Sequence, residues 1–480
     1  MIIPPLQPNH GAPKTRRQFL GQGVISFSGT LVAPSVLSLV TREAYGAACE
    51  APKSSGMLPF ICIDLGGGAN LAGANVIVGG AGNQKDYLPS GSYGSLGLSP
   101  EIEPASVVVN EEFGLAFHPE SRFLQGMVAA TDPATRSRID GGVFCTVSGD
   151  DTQNNPHNPM YWIAKAGLGG EVLSMIGTGD TLSGGRAMAP PSSINSQFAP
   201  AKVASSQDAI ALVTSGRLGE ILGTKGVQKV ISATNAMSES ALKRFYKQTY
   251  SSQLKDLVSC TYSNAEAQLA KYTREAVDPA QDNILSNIFN INNREENRAA
   301  AIAKLVLDGM AGGGTISLGG YDYHNNPRTN TDPRDLNAGN IVGKILEYAG
   351  QRKKDLMVYV FTDGGISCRP EASNQDADTG RFNPSSDSGS RSCAFAMVHR
   401  GEGGRPELAI PGRQIGGFTS NGGVDAKLNL ISNSVENLSK SIVLNYLALH
   451  GREGEVADVV GDNPFQSDLG SYLMFKKMVG

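Results

Sequence analysis

The sequence predicts an α/β protein whose mostly parallel sheet is covered by helices on both faces. Three observations lead there. Several short, continuously apolar runs end at glycine or polar clusters, the pattern of strands buried on both faces. Between them lie segments whose apolar residues recur with helical spacing, and strands alternating with helices imply parallel crossovers. No short-period repeat runs through the 480 residues, which argues against a solenoid or propeller. The 58 glycines, with only 18% charged residues, point to tight turns and long surface loops rather than a helical bundle.

The first run, residues 59–65 (Pro-Phe-Ile-Cys-Ile-Asp-Leu), breaks at Gly66-Gly67-Gly68 and reads as a buried strand entering a tight turn. Residues 142–147, 315–318, 356–361 and 393–398 read in the same way. Helical periodicity covers 238–276, with Leu242, Phe245, Tyr246, Leu254 and Leu257 among its apolar positions. It returns at 295–310 (Ile302, Leu305, Val306), at 336–348 (Ile341, Ile345, Leu346) and at 439–449. The helical stretch at about 205–312 is expected to be a cap inserted between strands of one domain covering 57–465. Residues 369–392 and 400–425 are polar or Gly-rich loops.

The amino end carries an address. Lys14-Thr15-Arg16-Arg17-Gln18-Phe19-Leu20 reads as a twin-arginine export signal, with no acid before Glu43 and small residues at Gly46-Ala47-Ala48. Arg16 and Arg17 are its recognition pair, and residues 1–48 form the expected signal peptide. Residues 21–40 are long enough to span a bilayer. They nevertheless contain Gln22, four serines, Thr30, three glycines and Pro34, too polar for a permanent anchor. Cys49 lacks the large apolar residue expected three positions before a lipidated cysteine. The expected location is therefore the periplasm or cell surface, with the twin-arginine translocase as a partner during export and no permanent membrane span. Without residues 1–48, which hold four bases and one acid, 37 basic and 44 acidic residues remain, a net charge of −7. That balance gives no basic face for nucleic acid.

None of the six cysteines forms a Cys-x-x-Cys pair, so neither a zinc ribbon nor a thioredoxin-type site is supported. Cys368 and Cys393 flank one polar loop, and an oxidising compartment predicts a bridge between them, with two free thiols as the alternative. Cys62 and Cys145 lie in apolar runs and read as buried thiols.

Three strand ends deliver acids. Asp64 ends the first run, Asp322 follows Leu318-Gly319-Gly320-Tyr321, and Asp363 follows Val360-Phe361-Thr362; His324 lies two residues beyond Asp322. Ligands of open α/β sheets bind beyond the carboxyl ends of the strands. Carboxylates with imidazole suit zinc, manganese or a similar divalent ion, which polarises phosphoryl oxygens and activates water or a hydroxyl. The alternative for each acid is a helix cap. His157, before a predicted helix, suits an anion, a metal or a loop-fixing hydrogen bond. His118 reads as structural, and His399 and His450 as packing residues.

The order of these features resembles the twin-arginine-exported domain-of-unknown-function 1501 family, itself similar to the alkaline phosphatase and sulfatase superfamily. The resemblance rests on Gly66-Gly67-Gly68-Ala69-Asn70, on Phe113-Gly114-Leu115-Ala116-Phe117-His118-Pro119 and on the His157 segment leading to Tyr161-Trp162. Its most specific element is Gly319-Gly320-Tyr321-Asp322-Tyr323-His324, followed by Phe361-Thr362-Asp363-Gly364-Gly365. It implies a three-layer α/β/α fold and a metal-supported site for phosphate or sulfate esters, small-molecule or glycan. Asp322 and His324 match, and Asp363 stands where an acid is expected. The chain also departs from the family. Asn70 replaces an acid, Asp387-Ser388-Gly389 stands for Asp-His-Gly, and Asn155-Pro156-His157 replaces Ser-x-Ser-His. No hydroxyl nucleophile has a motif, although Thr152 and Ser148 lie nearby. His157, Asn70 and Asp387 are therefore accessory candidates.

Two functions follow. One is an exported metal-dependent hydrolase with Asp64, Asp322, His324 and Asp363 as ligands. The other is a non-catalytic envelope binding or assembly protein that keeps the fold. A von Willebrand A-type adhesion site, suggested by Phe361-Thr362-Asp363-Gly364, ranks last because Asp64-Leu65-Gly66-Gly67-Gly68 lacks the two serines such a site needs.

Overall fold

The computed structural model describes residues 56–149, 154–196, 199–214, 225–230, 232–233, 236 and 271–479. The predicted signal with Arg16 and Arg17, and Thr152, lie outside them. The chain divides into two units, Met1–Pro52 with Ala211–Thr273, and Lys53–Ile210 with Arg274–Gly480. Of the first, only short stretches such as the helix at 225–230 are described. Everything below concerns the second.

Among the described residues its ten strands are β1 (Phe60–Gly68), β2 (Ile139–Cys145), β3 (Leu173–Gly177), β4 (Ala201–Lys202), β5 (Ala311–Asp322), β6 (Leu356–Thr362), β7 (Ile366–Cys368), β8 (Pro384–Asp387), β9 (Cys393–His399) and β10 (Gln414–Ile415). Eight form one sheet in the order β10-β2-β9-β6-β1-β5-β3-β4, while β7 and β8 form a separate hairpin. All neighbours in the large sheet are parallel except at β9, which runs against both β2 and β6. The reason is visible in the connection. A parallel crossover usually needs a helix, and between Thr362 and Cys393 the chain forms only the β7–β8 hairpin and single turns before returning.

The helices that matter here are α1 (Arg122–Ala129), α2 (Met160–Lys165), α3 (Arg294–Leu307), α4 (Arg328–Gln351) and α5 (Val435–Leu449). Strand alternation sorts the layers. Phe60 and Cys62 of β1, with Tyr359 and Phe361 of β6, share a core with Trp162 of α2 and Tyr446 of α5. On the opposite face Phe123 of α1 meets Phe395 of β9 edge-on, ring centres 5.6 Å apart. There α3 also presses so close to β5 that a Cβ on Gly314 would lie 2.5 Å from Ile302. The fold is thus three-layered, α/β/α, with a mostly parallel central sheet.

Part of the expected insertion at 205–312, namely 215–224, 231, 234–235 and 237–270, lies outside the described residues. Its last helix, α3, is a layer helix packed on the sheet. Two other differences have local causes. β1 continues through Gly66-Gly67-Gly68 instead of turning, because a register shift after Leu65 lets the glycines run beside Tyr321 and Asp322. α4 begins eight residues before its apolar periodicity, and its first turns, with Pro333, are held by polar contacts rather than an apolar stripe. Among the described residues no helix is long and apolar enough to cross a membrane.

The expected Cys368–Cys393 bridge is not formed; both are buried free thiols, as are Cys62 and Cys145. Cys368 lies in β7 with its sulfur 3.7 Å from the Arg328 guanidinium, whereas Cys393 faces Cys145 across the β2–β9 ladder. The polar loop that suggested the bridge is ordered by the hairpin instead.

Candidate metal site

The carboxyl ends of β1, β5 and β6 lie side by side, and the last residues of β5 decide what faces outward there. Tyr321 and Tyr323 turn in and are buried. The Tyr321 hydroxyl donates to the Arg334 carbonyl (2.8 Å), and the Tyr323 hydroxyl lies 2.8 Å from Asp335 Oδ1, both partners in α4. In extended chain, alternate side chains point to opposite sides, so anchoring the tyrosines leaves Asp322 and His324 outside. Gly67 is required at this seam: its φ is +132°, and a Cβ there would lie 2.6 Å from the Asp322 nitrogen.

Asp387 arrives from elsewhere. It ends β8 and pairs with Ile366 of β7. The hairpin is joined to β6 by Asp363-Gly364-Gly365, where Gly364 takes a φ of +95°. The result is a three-residue cluster. His324 Nδ1 lies 2.5 Å from Asp322 Oδ1 and 3.4 Å from Asp387 Oδ1. One ligand atom from each residue falls within 4.8 Å of the others. The side chains are 55% (Asp322), 44% (His324) and 46% (Asp387) exposed. Two carboxylates and an imidazole fit a zinc- or manganese-type ion, and three protein ligands leave coordination positions for water or substrate.

The other predicted ligands are placed differently and are not part of that cluster. Asp64 is wholly buried and accepts the backbone N–H groups of Arg186 (2.5 Å) and Ala187 (3.1 Å). Burial pushes its carboxyl above the ordinary value, and these N–H donors partly offset that. Asp363 is also buried, with Oδ1 accepting from the Asn155 side chain (2.7 Å) and backbone (3.3 Å). Asn70 accepts from Arg328 Nη2 (2.6 Å) and donates to the Leu96 carbonyl (3.3 Å). We expect Asp64→Ala to cost about 1–3 kcal/mol in urea denaturation, the usual cost of stranding buried donors; unchanged stability would show that the Arg186 and Ala187 N–H groups do not depend on this carboxylate.

His157 lies three residues before α2, stacked on Phe361 with ring centres 5.5 Å apart. Its Nε2 is 3.0 Å from Ser148 Oγ, which also accepts the Gly364 N–H (3.1 Å). That spacing matches a nucleophile and its base. Yet both side chains are fully buried, and burial lowers the imidazole to about 3, making it a weak base. The pair ties the end of β2, the end of β6 and the start of α2 together. Nine residues of sequence separate Ser148 from His157 with no motif to join them, which is why the contact was not foreseen.

Comparison of the chain with protein-family models, curated proteins and solved structures gives no match.

Proposed function

We propose that Asp322, His324 and Asp387 hold a divalent cation, zinc or manganese, and that the protein is a metal-dependent hydrolase of phosphate or sulfate esters. On this reading it belongs with the 1501 family in the alkaline phosphatase and sulfatase superfamily, is exported by the twin-arginine route and works in the periplasm or at the cell surface. The observation that carries the proposal is the convergence of three ligand atoms within 4.8 Å at the carboxyl end of the sheet, where open α/β folds bind ligands. A bound divalent ion would supply Lewis acidity toward an ester oxygen. The chain's own part is orientation: buried Tyr321 and Tyr323 fix Asp322 and His324, and the β7–β8 hairpin presents Asp387.

Zinc and manganese titration of the purified protein, followed by metal analysis, tests this. One ion per chain is expected, with Asp387→Ala weakening binding by at least about 10–100-fold, the loss that even outer-shell partners can cause. Aryl phosphate or aryl sulfate turnover should fall with it. A wild-type protein that binds neither ion rejects the reading.

A specific observation favours a second reading, a non-catalytic binding or assembly protein of the envelope. Asn70, Asp64 and Asp363 are each held by other groups of the chain, and among the described residues a single three-ligand set remains. Metal binding without turnover on either ester class, together with capture of a glycan or envelope component, would support it. Turnover lost in Asp387→Ala would exclude it.

A further inference from the structure

Two arginines are sealed inside the protein where the β7–β8 hairpin meets α4: Arg328 is 1% exposed and Arg381 0%. Arg328, the first residue of α4, donates through its backbone N–H to Asn383 Oδ1 (2.7 Å), through Nε to the Phe382 carbonyl (3.0 Å) and through Nη2 to Asn70. Arg381 donates through Nη2 to Asp332 of α4. Three guanidinium nitrogens remain. Arg328 Nη1, Arg381 Nε and Arg381 Nη1 are buried with no hydrogen-bond partner among the described residues. Buried polar groups are almost always satisfied, and charged ones are the costliest to leave unpaired.

The neighbouring carboxyls do not meet this need. Asp332 accepts from Arg122 (3.4 Å) and Arg381, and Asp335 from Asn75 (2.8 Å) and Tyr323 (2.8 Å). Asp376, partly exposed, accepts from Thr379. The two guanidiniums also repel each other: burial first, and Arg328 second, lower Arg381 to about 10. Three cations (Arg122, Arg328, Arg381) thus meet Asp332 and Asp335 of α4 and the partly exposed Asp376. An internal water would offer acceptor lone pairs but add two donors, for which Asp332 Oδ1 is an available acceptor. An anion offers acceptors alone, which suits three unpaired donors.

We propose that a small inorganic anion is held between Arg328 and Arg381. Arg328 lies four residues after His324, and Arg381 six residues before Asp387. The anion would therefore pin the hairpin to α4 and stabilise the juxtaposition of Asp387 with His324. This goes beyond the metal reading and does not depend on it.

The test follows the melting temperature of the full chain in a buffer whose only anion is a bulky organic sulfonate, against added chloride, bromide, nitrate, phosphate or sulfate. A saturable one-site rise is expected. In Arg328→Lys, which keeps the charge and loses the planar fork, the midpoint concentration should rise at least about tenfold, a 1.4 kcal/mol change in affinity. Saturation by halide or nitrate identifies a monovalent occupant, and saturation by phosphate or sulfate alone a tetrahedral oxyanion; either supports the site. A non-saturating rise in general salt order, or an unchanged curve in Arg328→Lys, overturns it and leaves water as the occupant. Should Arg328→Lys not fold, Arg381→Lys replaces it. Where halide saturates the melting curve, bromide-soaked crystals give an independent reading: an anomalous peak beside both guanidiniums is then expected, and its absence overturns the site. Zinc affinity measured in parallel separates this outcome from failure of the metal reading.

Discussion

Gly339→Ala is expected to destabilise the protein by at least the upper end of the range for overpacking, about 3 kcal/mol. The cause is the crossing of α1 and α4, which touch through backbone. A Cβ on Gly339 would lie 1.8 Å from the Phe123 carbonyl oxygen, one on Gly126 2.2 Å from the Leu336 carbonyl oxygen, and one on Gly343 2.8 Å from that of Met127. No rotamer change relieves a clash with main chain, so the helices must separate. Separation disturbs the Phe123–Phe395 contact on the sheet. It also strains Asn75, which donates to Asp335 and accepts from Ser121, the side-chain cap of α1. Because Asp335 holds Tyr323, the disturbance reaches the β5 end that presents Asp322 and His324. Urea denaturation of Gly339→Ala beside Gly454→Ala, whose Cβ would meet nothing within 4 Å, provides the check. A loss below about 1 kcal/mol at Gly339 would contradict the close crossing.

Acidification from pH 7 to pH 4 should remove several kcal/mol of stability. Burial lowers His157 to about 3 and His118 to about 4, with Arg381 and Arg328 adding to the shift at His118. An unfolded histidine titrates near 6.5. Below that pH the unfolded chain binds protons that the folded chain refuses, so stability present above pH 6.5 is lost as the pH falls toward the folded values. By pH 4 the loss is about 3 kcal/mol for each of the two. His399 and His450 are shifted in the same direction. Asp335 and Asp64, both raised by burial, oppose them. Burial raises Asp335 to about 6, so its contribution is full below about pH 4, is lost as pH rises through 6, and offsets roughly 2 kcal/mol on acidification. The net remains a loss of several kcal/mol, a sizeable fraction of ordinary domain stability. Comparing wild type with His157→Gln at both pH values isolates one histidine: the variant should lose about 3 kcal/mol less on acidification. An identical loss in the two proteins would show that His157 is not held neutral.

Much of the fold was legible in the chain because buried strands and amphipathic helices write themselves as local patterns. Residues 356–361 and 393–398 are close to β6 and β9 as observed, and 439–449 is the greater part of α5. Where local pattern was weak, reading failed. β3, β4 and β10 are short, and the first turns of α4 are polar. The β7–β8 hairpin lay within what read as a plain polar loop. The candidate site was legible in the same partial way. Asp322 and His324 stand out as a pair, and Asp387 was only an accessory.

What the amino-acid sequence determined by itself is therefore short-ranged: an α/β alternation, and an acid and an imidazole two residues apart, which any extended strand presents on one side. Tertiary structure alone decided which acids joined them. Asp64 is met by backbone N–H groups more than 120 residues away, Asp363 by Asn155 some 208 residues away, and Asp387 is carried to His324 by a hairpin that Arg328 and Arg381 tie to α4. Whether a strand-end carboxylate is a ligand or a buried fastener depends on which loop arrives beside it, and that is set by the packing of distant segments rather than by the residues next to it in the chain.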